Sequence, residues 1–286
     1  MRALFLGGHT FDMVYRLDAL PGENAKAKAD LTYAAAGGPA LNAAITCAIL
    51  SGSPGTAVFA GALGAGPLTE AVRAEAKACG VGLHRLGARG DDAPCASAAL
   101  TPGGARTIWS PPQAGTPAGA LETLPEPDGF DVLLVDGQLP EAGAAAAEAF
   151  RAAEKPVVLD AGSWKPGLAA LTGLATDLIA GAAFAFPEGG DVLAHSLAAG
   201  AQAAAVTADA GPVRWRTADG GSGGITPPEV EAVDTLAAGD VFHGAYVWFR
   251  YAAGLDFAHA LGEAARVAAS SVAHYGARAG VIAVRR

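Results

Sequence analysis

From Phe130 onward the chain alternates short apolar runs with helix-length segments, and this alternation restricts the available folds more than any other feature of the sequence. Phe130–Asp136 reads as an apolar strand, Glu141–Ala153 as a helix and Val157–Asp160 as a strand. A strand at Asp177–Ala180, a helix around Asp191–Ala199 and a strand at Ala203–Thr207 continue the series. Strands that alternate with helices predict an α/β fold built on a doubly wound, mostly parallel sheet flanked by helices. Ala3–Gly7 and Thr56–Ala60 supply further strands, and Pro67–Cys79 a helix ended by Gly80. Other N-terminal segments break the pattern. Residues 13–17, the alternating Lys26–Tyr33, and Ala96–Leu100 with Ala105–Trp109 around Thr101-Pro102-Gly103-Gly104 read as hairpin-like strands. A chain of 286 residues can form one large domain or two smaller ones. The Pro- and Gly-rich segment 110–129 is the nearest thing to a linker, and there is no internal repeat.

Two motifs add chemistry. In Asp234-Thr235-Leu236-Ala237-Ala238-Gly239-Asp240 small residues run into one acid, and an apolar, helix-like stretch from Val241 to Trp248 follows. Ala238, Gly239 and Asp240 would form the first turn of that helix, whose free N–H groups attract an anion. A carboxylate beside such a site suits phosphoryl transfer to a hydroxyl; an ordinary helix start capped by Asp234 or Thr235 is the plainer reading. The second motif, Gly37-Gly38-Pro39-Ala40-Leu41-Asn42, opens another helix, with Pro39 in its first turn, Leu41, Ile45, Ala48 and Ile49 at helical spacing, and Gly52 at its end. The glycines permit close approach of a ligand to the backbone, and Asn42 offers a donor and an acceptor to sugar hydroxyls.

Together these motifs resemble the two signatures of the PfkB carbohydrate kinases, or ribokinase family, and the resemblance runs from Leu4 to about Gly280. It implies a single ribokinase-like domain over residues 1–286, with a small β-sheet lid from segments near 12–34 and 94–110. It further implies ATP-dependent phosphorylation of a sugar hydroxyl with Mg2+, and a homodimer formed through the lid. Asp240 would be the general base, and the start of the helix at 237–240 the anion hole. We expect the helix N-terminus to keep Asp240 ionised. Ala237 stands where the family generally has glycine. With an ordinary negative φ alanine is harmless there; a positive φ would strain it, and glycine would then raise stability and kcat. Our expectation is the negative φ.

Asp12 matches the acid that binds sugar hydroxyls in the family. Only two asparagines occur, Asn24 and Asn42, both in the region expected to contact the acceptor, although Asn24 also suits an ordinary turn after Pro21-Gly22-Glu23. Arg106 could reach an anionic group on the substrate or simply be solvated. Thr207 and Gly211 occupy the place of the family's Thr-x-Gly-x-x-Gly nucleotide loop, with Asp209 and Pro212 where glycines are expected. The family's Asn-x-x-Glu motif is missing, which makes the chain similar to the ketohexokinase-like and sulfofructose kinase-like branch and leaves the metal ligands unassigned. Asp136 and Asp160 end two strands on the side where open α/β sheets bind ligands, and Lys165 could meet a phosphate there. His243, one turn beyond Asp240, reads as a packed helix histidine or a pocket residue.

The net charge of −9 argues against nucleic acid as the main partner, and no apolar run is long enough to span a bilayer. Cys47, Cys79 and Cys95 have no metal-ligand pattern and, with no signal peptide, suggest a cytoplasmic protein with reduced thiols. The resemblance implies sugar and ATP as the partners. A nucleoside kinase and a non-catalytic binding protein of the same fold are the alternatives.

Overall fold

The computed structural model describes residues 1–286 except 88–89, 112–114, 166 and 286, and the side chains of 31 and 32. In chain order its elements are β1 (Ala3–Leu6), β2 (Thr10–Arg16), β3 (Leu31–Gly37), α1 (Pro39–Ser51), β4 (Ala57–Gly61), α2 (Pro67–Ala78) and β5 (Gly82–Arg85). There follow β6 (Cys95–Leu100), β7 (Arg106–Trp109), β8 (Val132–Val135), α3 (Pro140–Ala152), β9 (Val157–Ala161), α4 (Leu168–Thr172) and β10 (Asp177–Ala180). The last third holds α5 (Val192–Ala198), β11 (Ala203–Ala208), β12 (Gly211–Thr217), β13 (Ser222–Ile225), α6 (Ala238–Val247), α7 (Phe257–Val272) and α8 (Ala277–Arg285).

The large sheet has the order β13-β12-β11-β10-β9-β8-β1-β4-β5, parallel from β11 to β5, with β12 and β13 added antiparallel at one edge. Alternate residues of each strand enter different cores. Ala3, Phe5, Val132 and Leu134 pack with α1, α6, α7 and α8 on one face. Leu4, Leu6, Leu133 and Val135 pack with α3 and α4 on the other. Residues of period two thus feed two apolar layers, which is why these strands read as unbroken hydrophobic runs. The chain builds outward from β1 through β4 to β5, then returns to place β8 on the other side of β1. This reversal opens a crevice at the carboxyl ends of β1 and β8, where ligands bind in open α/β sheets.

The second sheet has the order β3-β2-β6-β7, two antiparallel pairs joined by a parallel β2–β6 contact. The strand expected from Lys26 begins at Leu31. Arg16 pairs with Leu31 as the last register partner of β2, so residues 26–30 have no strand to pair with, and they lie mostly exposed. No helix among the described residues is long and apolar enough to cross a membrane.

Candidate active site

The crevice at the ends of β1 and β8 is where the two sequence motifs meet. Helix α1 starts at Pro39, after Gly38 with φ 94°, a conformation that favours glycine. A side chain on Gly38 would also fall 2.5 Å from the Cα of His9, and one on Gly37 would overlap the Asp12 carboxylate. The glycine pair therefore admits the protein's own atoms: Gly38 lets the chain pass the β1–β2 turn, and Gly37 leaves space for Asp12. The Asp12 carboxyl accepts from the Thr10 hydroxyl and is raised from its ordinary value, chiefly by burial.

Helix α6 starts at Ala238, as the small-residue motif implies, and Asp240 lies in its first turn. Ala237 has φ 62° and ψ 10°, so the expected negative φ is not found. The chain enters α6 through a left-handed residue, and alanine there carries a steric cost that glycine would not. A Cβ built on Gly239 would meet nothing within 4 Å, so the first turn faces open space. The Ala238 N–H donates to the Thr235 carbonyl at 3.4 Å, and the N–H groups of Gly239 and Asp240 precede the first helical bond, from Val241 to the Ala237 carbonyl.

Helices α1 and α6 cross closely: a side chain on Gly244 would come within 2.2 Å of the Ala43 carbonyl. That crossing brings Nδ2 of Asn42, itself buried, to donate to Oδ2 of Asp240 at 2.7 Å. The other end of the Asn42 amide, Oδ1, accepts from Arg278 at 2.8 Å. Residues 42, 240 and 278 thus form one chain of hydrogen bonds, of which sequence reasoning supplied the first two. Arg278 is a lone arginine in the last helix, and nothing in its sequence neighbourhood marks it.

A second group of acids lies beneath. Asp136 accepts from the backbone N–H groups of Gly8 (2.8 Å), Gln138 (2.9 Å) and Ala40 (3.1 Å), tying the ends of β1 and β8 to the start of α1. Burial nevertheless pushes its carboxyl up to about 6. The Asp160 carboxyl is also raised by burial, with His243 and Lys165 drawing it back. His243 is packed as expected, with Nδ1 2.7 Å from the Gly239 carbonyl and Nε2 3.2 Å from the Ile179 carbonyl and 3.5 Å from Asp160. Asp240 is pushed up to about 7, first by burial and then by the like charge of Asp160, against the opposing pull of Asn42 and His243. The expectation that a helix N-terminus keeps this group ionised is therefore corrected: in this crevice desolvation and Asp160 outweigh the helix dipole.

Above these groups is a cleft of about 470 Å³ between the two sheets, lined by Asp12, Gly38, Asn42, Arg106, Gly239 and Asp240 among others. A smaller chamber of about 270 Å³ shares Asp12, Asn42 and Ala237 with it and extends to Glu75, Tyr275 and Arg278. Arg106 reaches across from β7, donating to the Thr235 hydroxyl at 3.0 Å. Gly37 lies outside both linings, behind Asp12. Asn24 is not drawn in; it is exposed, in a turn with φ 59°, and lines neither space.

Thr207 and Gly211 also lie apart from this cleft, in the β11–β12 hairpin, where the Thr207 hydroxyl donates to the Ala180 carbonyl at 3.3 Å. Asp209 in that turn has φ 47°, consistent with a position where the related loop carries glycine. Lys165 follows β9 and is close enough to Asp160 to lower its carboxyl. Among the described residues no group of three or more His, Cys, Asp or Glu side chains is placed to hold a metal ion.

A cleft at the topological switch, a carboxyl in the first turn of a helix and a second sheet above it agree with what the chain resembles in other proteins. The model of the pfkB family carbohydrate kinases matches residues 4–283. A candidate ribokinase from Agrobacterium tumefaciens is 26% identical, with a TM-score of 0.83 over 98% of this chain and 94% of that one. Ribokinase from Thermotoga maritima is 19% identical, with a TM-score of 0.78 over 99% and 98% of the two chains. Arabidopsis thaliana ribokinase, solved with ribose and ATP, is 20% identical, with a TM-score of 0.76 over 100% and 98%. The comparison with curated proteins gave no match. The extent of the family match, together with the shared ribokinase-like fold, makes this chain a member of the PfkB family of carbohydrate kinases.

Proposed function

We propose that the protein transfers the γ-phosphoryl group of ATP to a hydroxyl of a sugar held in the cleft beneath the small sheet, with Asp240 as the general base. The observation that carries this reading is the half-buried Asp240 carboxyl in the first turn of α6, beside an open Gly239 and opposite Asp12 in one cleft. The N–H groups of Ala238, Gly239 and Asp240 would receive the transferring phosphoryl oxygens, where preorganised donors stabilise developing charge. The acceptor oxygen forms its bond to phosphorus as the bond to the leaving ADP oxygen breaks, and the hydroxyl proton passes to Asp240. A carboxyl pushed up to about 7 is a stronger base than an ordinary aspartate and is still largely ionised in mildly alkaline solution.

Asp12 and Asn42 are assigned to the acceptor side, Asp12 by accepting from sugar hydroxyls and Asn42 chiefly by holding Asp240. Arg106 would close the cleft from the small sheet, acting as a lid residue. Thr207, Gly211 and Lys165 are assigned to the nucleotide side, along the carboxyl ends of β9 to β11. The chain forms no three-ligand cage for Mg2+ among the described residues. When bound, the ion would be held mainly by the triphosphate and its own waters and would offset charge on the phosphoryl groups. The exposed Ile108 and Trp109 on the small sheet support a homodimer formed through that sheet.

The test is ADP formation from Mg2+–ATP across a panel of monosaccharides, sugar phosphates and nucleosides. Turnover with a sugar, abolished in Asp240→Asn, is the expected result. Turnover confined to nucleosides would reassign the acceptor, and saturable sugar binding without ADP release would overturn the catalytic reading.

A further inference from the structure

We propose that Arg278 is a positioning residue for the base: it fixes the Asn42 amide so that Nδ2, and not Oδ1, faces Asp240. This rests on the reading of Asp240 as the proton acceptor. An arginine guanidinium has donors only, and an ionised carboxylate has acceptors only. Asn42 lies between one of each, 2.8 Å from Arg278 on its Oδ1 side and 2.7 Å from Asp240 on its Nδ2 side. Rotating the amide by half a turn would set N–H groups against the guanidinium and an oxygen against the carboxylate, and Asn42 is only 3% exposed, so water could not relieve either contact. The amide therefore has one orientation for as long as Arg278 holds its place.

Arg278 is itself anchored. Its Nε donates to Oε1 of Glu75 at 3.0 Å and its NH2 group to the Ala36 carbonyl, while the Ala36 N–H donates to Oε2 of Glu75 at 2.5 Å. Glu75 and the end of β3 thus form a rigid bracket that aims the remaining guanidinium nitrogen at Asn42. The effect reaches Asp240 through hydrogen-bond geometry. The other groups acting on Asp240 come from different elements: Asp160 at the end of β9, His243 on α6 itself and Asp12 on β2. Arg106, on β7, lines the same cleft. Among the described residues Asn42 is the side chain that donates a hydrogen bond to Asp240, so control of its orientation is control of the base.

The sequence supplies a direct probe, because the chain has only two asparagines. Protein labelled with ¹⁵N at asparagine will show two side-chain amide pairs by NMR, exposed Asn24 serving as the internal reference. The Asn42 pair should titrate with Asp240, and that titration should vanish in Asp240→Ala, which adds no third asparagine. In Arg278→Met the midpoint should rise by about one pH unit, a tenfold change in proton binding, as the donor to the carboxylate loses its fixed direction. Arg278→Lys, which keeps the charge but cannot serve Glu75, Ala36 and Asn42 together, should shift it in the same direction by less, and it carries the test should the methionine variant not fold. A wild-type midpoint in whichever variant folds overturns the proposal. These spectra need no substrate, so a chain that shifts as expected yet transfers no phosphate would contradict the kinase reading and leave the Arg278–Asn42–Asp240 coupling standing. Where turnover is measurable, the acid limb of kcat/KM should move with the NMR midpoint. A limb that stays in place while the midpoint moves would remove Asp240 as the base, and with it the positioning role of Arg278.

Discussion

Two regions of the molecule, the cleft around Asp240 and the β11–β12 hairpin, are built differently. In the cleft, assigned to the acceptor, residues distant in sequence are locked by side-chain hydrogen bonds: Glu75 to Arg278, Arg278 to Asn42, Asn42 to Asp240, with α1 and α6 drawn together at Gly244. On the side assigned to the nucleotide, Thr207 and Gly211 belong to a hairpin whose shape is set by backbone pairing between β11 and β12 and by the left-handed Asp209. The first side is preorganised by packing and charge, so its loss should be felt in chemistry. The second is held mainly by backbone pairing, with the Thr207 hydroxyl bonded to the Ala180 carbonyl, and its turn takes Asp209 in a left-handed conformation. Side-chain precision is concentrated around Asp240, where the proposed transfer would need a proton and a phosphoryl group aligned within a fraction of an ångström.

The contrast predicts effects of graded size. Asp240→Asn should lower kcat by about 10²–10⁴ while leaving binding of both substrates nearly intact, as rapid-quench kinetics and calorimetry can show. The same variant should be more stable than the wild type at pH 8. A carboxyl raised from 3.8 to about 7 binds its proton more tightly in the folded state than in the unfolded state. Stability is therefore lost as pH rises through that interval, and asparagine escapes the loss. Thermal melts that coincide near pH 3.5 and diverge by pH 8 would establish this; melts that coincide throughout would refute the raised carboxyl.

Next in size, Asp12→Ala should weaken acceptor binding by about 1.5–3 kcal/mol, and Thr207→Ala should weaken ATP binding by only about 0.5–1.5 kcal/mol. Calorimetry with each ligand checks both, and a Thr207 effect on the acceptor would break the division into two sides. Gly244→Ala, which forces a methyl group against the Ala43 carbonyl, should cost about 1–3 kcal/mol in denaturant unfolding and lower kcat by spreading α1 from α6. Smallest of all, Ala237→Gly should raise stability by about 0.5–1 kcal/mol, the relief of the left-handed alanine being partly offset by the greater freedom of glycine in the unfolded chain. Its kcat should rise as well. A loss of stability on chemical denaturation would show that residue 237 is unstrained.

Much of the architecture was legible because it is local. Helix α1 begins at Pro39 and ends at Gly52 as its spacing indicates, Asp191 caps α5, and β8 to β11 lie where their apolar runs place them, whereas the edge strands β12 and β13 carry no such run. Asn42 and Asp240 stand in the two motifs and Asp12 matches the family's sugar-binding acid, and the fold brings all three to one cleft. What the sequence hid depends on long-range packing. Strand β3 starts late because its partner β2 ends at Arg16, which no pattern in residues 26–30 reveals. The left-handed φ of Ala237 is imposed by how the chain enters α6, against the preference of alanine itself. The protonation of Asp240 is decided by burial and by Asp160, 80 positions away in sequence. Arg278 carries no motif, and its importance is visible only once α8 lies against α1.

The central claim, that Asp240 is a base tuned by its burial beside Asp160, is tested most directly by the pH dependence of kcat/KM with the best acceptor from the panel. The wild type should show an acid limb with its midpoint near 7, rate rising as pH rises. Asp160→Asn, which removes the like charge, should shift that midpoint to lower pH. A wild-type profile flat from pH 5 to pH 9, or an acid limb unmoved in Asp160→Asn, would contradict it.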